Sequence, residues 1–246
     1  MSDFTVLVVQ PDSEGQPDRF GLWLEEVGAE LSCVRPFQGD RVPEVVEADG
    51  LLVLGGDMGA GDDADHPWLA DVRALMRNAV AAEVPTLGIC LGGQLLAAAT
   101  GGAVARGAAG MEVGVVEVTA RAVVEHDELM ARLPWPLRQA TMHRDAITTL
   151  PRNAVWLAES PAYRHQAFRV GRRAWGVQFH PEVSPGSYRR WAEYVREDAL
   201  TMQRIVEGID QFESLDDQVR AGARALAHRF GELVNQHAGE QPAGRT

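Results

Sequence analysis

Residues 86–102 read TLGICLGGQLLAAATGG, from Thr86 to Gly102. Pro85 to Ile89 is a short apolar run of the kind buried as a strand. Leu91 to Thr100 follows as a helix, and Gly101 and Gly102 close it. At the junction stands G-x-C-x-G, formed by Gly88, Ile89, Cys90, Leu91 and Gly92. A nucleophile elbow has this form and needs this strand-to-helix context. The turn is sharp and strained, so small residues must flank the nucleophile. The following helix aims its N-terminus at the thiol and favours the thiolate. The backbone N–H of Leu91 lies where an oxyanion would develop. A lone cysteine in a glycine-rich turn is ordinarily a buried structural residue. Glycines on both sides and the strand-to-helix placement favour the nucleophile here. Cys33, in the strand LSCV, has none of these features and is assigned to the core.

The same alternation extends upstream. Phe4 to Val9 is an apolar, β-branched strand that ends in the turn-rich QPDSEGQPD. Arg19 to Val27 carries Phe20, Trp23, Leu24 and Val27 at helical spacing, with Gly28 as its stop. Leu31 to Val34 and Gly50 to Leu54 read as further strands, the latter broken by Gly55 and Gly56. Pro67 to Ala82 is helical, with Pro67 in its first turn. Strands alternating with helices predict an α/β fold with a doubly wound, mostly parallel central sheet flanked by helices.

Downstream the character changes. From Ala103 to Val177 short strands dominate, in MEVGVVEVTA, NAVWLAES, HQAFRV and RRAWGVQF. They predict a small antiparallel extension of the sheet. Residues 184–200 are expected to be helical. Leu215, Val219, Leu226, Phe230 and Leu233 share one face of a last amphipathic helix, placed at about residues 212–236. The chain reads as one domain over residues 1–237, with a disordered tail over 238–246.

The segment GVQFHPEV brings His180 and Glu182 just after the strand WGVQF, with Pro181 restraining the turn. A thiol that attacks an amide needs a base to take its proton and to return it to the leaving ammonia. Histidine is suited to that near neutral pH. A carboxylate fixes the tautomer and orientation of such a base. H-P-E alone is a weak signal. Its weight comes from the Cys90 elbow in the same chain.

Composition narrows the function classes. The net charge of -12 repels phosphate backbones and anionic membranes. All the positive charge is arginine, which excludes a catalytic lysine amine, a Schiff-base lysine or a P-loop lysine. Two cysteines make no disulfide framework, and a reducing cytoplasm is expected. No basic, apolar N-terminal leader and no run long enough for a membrane span is evident. Asp57, Asp62, Asp63, Asp65 and His66 match no EF-hand or zinc spacing and read as a polar loop rimming the site. No metal or cofactor is implied.

Taken in order, the blocks resemble those of the class I, or triad-type, glutamine amidotransferases. LGGDMGAGDDADHPWL resembles the family's Gly-Gly oxyanion loop, GICLGGQLLAAATGG its nucleophile block and GVQFHPEV its histidine–glutamate block. AGMEVGVVEVT is similar to the Glu-x-Gly strand, and MHRDAITTLP stands where many members have Ser-His-Gly-Asp. The nearest subset is the stand-alone proteins similar to the amidotransferase domain of GMP synthase. The resemblance implies a flavodoxin-like fold and the hydrolysis of glutamine, or of a γ-glutamyl small molecule. It implies Cys90 as nucleophile, His180 as base and then acid, and Glu182 as orienter. The backbone N–H groups of Gly56 and Leu91 would form the oxyanion hole, beside Gly55. Gln94, Met142 and His143 would hold the substrate. Arg144 departs from the family's usual glycine, and Met142 from its serine. Arg144 is then either a contact for a larger, carboxylate-bearing substrate or a solvated loop residue. No synthetase block is recognisable, so ammonia would go to a separate synthetase partner or be released. A self-sufficient γ-glutamyl hydrolase or peptidase is the alternative.

Overall fold

The computed structural model describes residues 3–240. Eleven strands and five α-helices are formed among these residues. The N-terminal half contains β1 (Phe4–Val9), α1 (Asp18–Glu26), β2 (Ala29–Val34), β3 (Gly50–Val53), α2 (Trp68–Ala81), β4 (Thr86–Ile89) and α3 (Leu91–Ala99). Then come β5 (Ala103–Arg106), β6 (Glu112–Ala120), β7 (Leu137–His143), β8 (Asp145–Thr149), β9 (Val155–Glu159), β10 (Ala167–Val170) and β11 (Ala174–Val177). The chain closes with α4 (Pro185–Tyr194) and α5 (Ala199–Glu240).

Nine strands form one mixed sheet in the order β2-β1-β3-β4-β11-β10-β9-β6-β7. The pairs from β2 to β11 are parallel, and those from β11 to β7 are antiparallel. β5 and β8 make a separate antiparallel pair. The fold is α/β with a parallel core, as the alternating elements imply. β11 explains how the two halves join. It follows the antiparallel strands in sequence yet pairs in parallel with β4, Val177 beside Ile89. This register sets the residues after β11 next to the Cys90 elbow.

The period of two along each strand feeds two cores. Phe4, Val6 and Val8 of β1 pack toward α1 and α5, with Phe20, Leu24, Leu226 and Phe230. Leu7 and Val9 face the other way, toward Leu69, Val72, Leu75 and Met76 of α2 and Leu95 and Leu96 of α3. With both faces covered, the parallel strands read as continuous apolar runs.

Two helix boundaries differ from the sequence reading. Residues 184–200 are not one helix, because α4 ends at Tyr194 and Val195 is extended. Asp198 then accepts hydrogen bonds from the N–H groups of Leu200 and Thr201, which starts α5. α5 begins well before residue 212, because Ile205, Gly208, Ile209 and Phe212 continue its buried face toward the N-terminus. Residues 238–240, expected in the tail, belong to α5, and residues 241–246 lie outside the described residues. Cys33 is half-buried on the edge strand β2, its thiol directed at Gln10 Oε1, so it borders the core rather than filling it. Among the described residues no helix is long and apolar enough to cross a membrane.

Candidate active site

The carboxyl ends of β1, β3, β4 and β11 open on one side of the sheet, where open α/β sheets bind their ligands. Cys90 sits at the end of β4 with φ +49° and ψ −107°, a conformation that costs a non-glycine residue about 1–3 kcal/mol. Three glycines make the turn possible. A Cβ at Gly88 would lie 2.4 Å from Gly92 O, one at Gly92 2.1 Å from Val53 O, and one at Gly93 2.7 Å from Val177 O. The G-x-C-x-G-G pattern is therefore a record of close backbone approach. The Cys90 N–H donates to Val177 O at 2.8 Å, and Gln94 N–H to Cys90 O at 2.9 Å. The elbow is fixed from both sides.

His180 follows β11 and is anchored by its N–H to Ala140 O of β7 at 2.8 Å. Its Nδ1 meets Glu182 Oε1 at 2.7 Å. Cys90, His180 and Glu182 are 6%, 4% and 1% exposed, so this chemistry is shielded from bulk water. Gly55 borders both Cys90 and His180. A Cβ there would stand 3.1 Å from His180 Cε1 and 3.6 Å from Cys90 Cβ. Burial pulls the imidazole toward its neutral form, but the Glu182 carboxylate and the Cys90 sulfur beside it outweigh this and hold His180 up at about 10. Glu182 Oε2 is buried without a partner. An orphaned buried acceptor costs about 1–3 kcal/mol, so the residue is not there for stability alone.

The turn that presents this pair is clamped from α1. Arg19 N–H donates to Glu182 O at 3.1 Å. Asp18 Oδ2 accepts from Ser184 N–H at 2.9 Å and from the hydroxyls of Ser184 and Ser187 at 2.8 and 2.7 Å. Trp191 of α4 packs edge-on to the His180 ring at 4.7 Å and donates its indole N–H to Glu14 O. None of these supports was read from the sequence. The hydrogen-bonded partners among them lie more than 160 residues apart in the chain.

A cavity of about 550 Å³ opens onto these groups. Gly55, Gly56, Gln94, Met142, His143 and Arg144 all line it, together with Cys90 and His180. Leu91 supplies the first residue of α3 directly after Cys90. The imidazole of His143 is already engaged, with Nε2 at 2.9 Å from Glu112 and Nδ1 at 2.9 Å from Asp145 O. Glu112 also accepts from Ser160 and Gln166, so β6, β7 and the loop after β9 are tied together behind the cavity. Arg144 is not a freely solvated residue. Its guanidinium pairs with Glu197 and with Asp57, and Arg106 approaches the same Glu197 oxygen at 3.9 Å. In the acidic loop, Asp57 and Asp62 line the cavity, whereas Asp63 turns to Arg73.

The model of the glutamine amidotransferase class-I family matches residues 23–195. A chain of the glutamine-hydrolysing GMP synthase of Archaeoglobus fulgidus is 33% identical over 161 residues, 65% of this chain and 79% of that one. Gamma-glutamyl peptidase 4 of Arabidopsis thaliana is 27% identical over 74% of this chain and 76% of its own. Among solved structures, a glutamine amidotransferase from Thermotoga maritima superposes with a TM-score of 0.81 at 27% identity, covering 94% of this chain and all of that one. One from Methylobacillus flagellatus gives 0.82 at 27% identity over 98% and 97%.

Proposed function

The chain belongs to the class I glutamine amidotransferase family, and on that premise we propose that it hydrolyses the side-chain amide of glutamine through a γ-glutamyl thioester on Cys90. The observation that carries this reading is the buried His180–Glu182 pair, 2.7 Å apart, set against the strained Cys90 elbow with Gly55 bordering both. Cys90 attacks the amide carbon as a thiolate. The carbonyl oxygen gains charge and turns to the N–H groups of Gly56 and Leu91. His180, held as an imidazolium, gives its proton to the nitrogen as the C–N bond breaks, and ammonia leaves. Water then enters, His180 removes its proton, and the thioester opens to glutamate and free thiolate. Glu182 keeps the imidazole in one orientation throughout. Gln94 spends its N–H groups on Asp145 O and Gln178 Oε1, so its own Oε1 is the atom suited to the substrate's α-amino group. Relatives named as one component of a glutamine-hydrolysing synthase support a separate synthetase as receiver of the ammonia, in the reducing cytoplasm.

The test is glutamate release from glutamine by the intact protein and by Cys90→Ala. Release should disappear in the variant. An equally active Cys90→Ala protein removes the mechanism.

A second reading keeps the chemistry and changes the substrate. The cavity volume lies within the range used for ligands larger than an amino acid, and Arg106 and Arg144 stand at its rim. These features, and a relative named as a gamma-glutamyl peptidase, support a stand-alone hydrolase of a small γ-glutamyl metabolite. A kcat/KM for γ-glutamyl peptides above that for glutamine favours this reading. The reverse order removes it.

A further inference from the structure

Gln178 is the first residue after β11, and its side chain is 1% exposed. Its Nε2 lies 3.5 Å from Cys90 Sγ, and its Oε1 accepts from Gln94 Nε2 at 3.2 Å. Gln94 Nε2 also donates to Asp145 O at 2.9 Å. A backbone carbonyl can only accept. The Gln94 atom facing Asp145 O must therefore be the nitrogen, which is thereby also turned on Gln178. The Gln178 atom facing Gln94 must in turn be the oxygen. Its own nitrogen is left pointing at the sulfur. Donation thus starts at Gln94 Nε2, which gives one N–H to the Asp145 carbonyl and the other to Gln178 Oε1, and ends with Gln178 Nε2 donating to Cys90 Sγ; flipping either amide breaks at least one of the three contacts. The Asp145 carbonyl is itself held, since it also faces His143 Nδ1, and His143 is tied to the buried Glu112.

We propose that Gln178 is a catalytic residue, donating an N–H to the Cys90 sulfur in its thiolate form, with Gln94 as the positioning residue that sets the amide's direction. The inference rests on the proposed function and adds to it a second group at the sulfur, besides His180. A donor facing sulfur stabilises the anion over the thiol. It does so without a charge that would compete for the imidazolium. The thiolate is held ready while His180 remains free to pass its proton to the leaving group.

The other titratable groups facing the sulfur's cavity are few. His180, with Glu182 behind it, comes from the segment after β11. His143, Arg144 and Asp145 come from the junction of β7 and β8, Arg106 from the end of β5, Tyr194 from the end of α4, and Asp12, Glu14, Asp57 and Asp62 from the rim loops. None of them is removed by a change at residue 178.

The experiment is the pH dependence of Cys90 alkylation by iodoacetamide, read on the Cys90 peptide of the full chain. Wild type, Gln178→Met, Gln178→Glu and Gln94→Leu are compared. Methionine keeps the volume and loses the donor. Its midpoint should rise by about one pH unit, the worth of one hydrogen bond to a charged group. Glutamate places a carboxylate at the sulfur and should raise the midpoint further. It also keeps the shape of glutamine, and so carries the test if the methionine variant does not fold. Gln94→Leu should move the midpoint the same way by less. A variant that merely loosens the fold exposes the thiol and is recognised by faster alkylation of the half-buried Cys33 in the same sample. Midpoints for Gln178→Met and Gln178→Glu that coincide with wild type overturn the proposal. Iodoacetamide needs no substrate recognition. Labelling of wild-type Cys90 by a glutamine-like diazo-ketone therefore tests the proposed function separately.

Discussion

Cys90 and Glu182 each hold a local structure that stability alone does not favour. The first is a cysteine in a left-handed backbone region, and the second a buried carboxylate with one unpartnered oxygen. Strain of this kind is kept where surrounding structure over-determines it, most often at reactive sites. If φ +49° is the source of the cost, glycine at position 90 relieves it and alanine does not. Cys90→Gly should be more stable than Cys90→Ala by about 1 kcal/mol in urea unfolding, with both inactive. Equal stability would show that the elbow is unstrained. The ion pair gives a second expectation. The folded-state value for His180, about 10, lies above its ordinary 6.5. Its contribution to stability is then complete below pH 6.5 and is lost as pH rises through about 10. Glu182→Gln should cost about 3–5 kcal/mol at pH 6, and the gap to wild type should narrow by pH 10. A gap that widens with pH would contradict this assignment. The residues proposed for acid–base work were legible because each carries its chemistry in its type and sits in a compact block. Gln178 was not, because a glutamine states no role until its partners, 84 and 88 residues away, are placed beside it.

Among the elements, the parallel strands could be read because apolar runs and glycine stops mark them directly. β7 could not. In LRQATMH the buried residues include Gln139, Thr141 and His143, whose polarity hides the strand's inward face. Their burial is supported from elsewhere, by Val219 O, Gly114 O and Glu112. The early start of α5 was hidden for a related reason. Its closest approach to β6 falls at a glycine set between Ile205 and Ile209 of the buried face. A Cβ on Gly208 would come 2.9 Å from Gly114 Cα, so helix and strand touch backbone to backbone. Gly208→Val should destabilise by about 1–3 kcal/mol through overpacking. Gly239→Ala, where a Cβ meets nothing within 4 Å, should be neutral or stabilising. Thermal midpoints of the two variants check the pair. A Gly208→Val protein as stable as wild type would place α5 elsewhere.

At the scale of the molecule, the fold acts by register. β4 and β11 lie side by side in parallel, so the residues that leave their carboxyl ends meet although 90 positions separate Cys90 from His180 in the sequence. α1 and α4 brace the same turn, and the cavity lies between these supports and the loops after β1 and β3. The proposed glutamine hydrolysis draws on this constellation and a water. The direct test is mass spectrometry of the intact protein, quenched in acid during turnover of glutamine and of γ-glutamyl peptides. A γ-glutamyl adduct should appear on the peptide bearing Cys90 and be absent from Cys90→Ala. Turnover that continues with Cys90 unmodified, or an adduct on any other side chain, would contradict the mechanism.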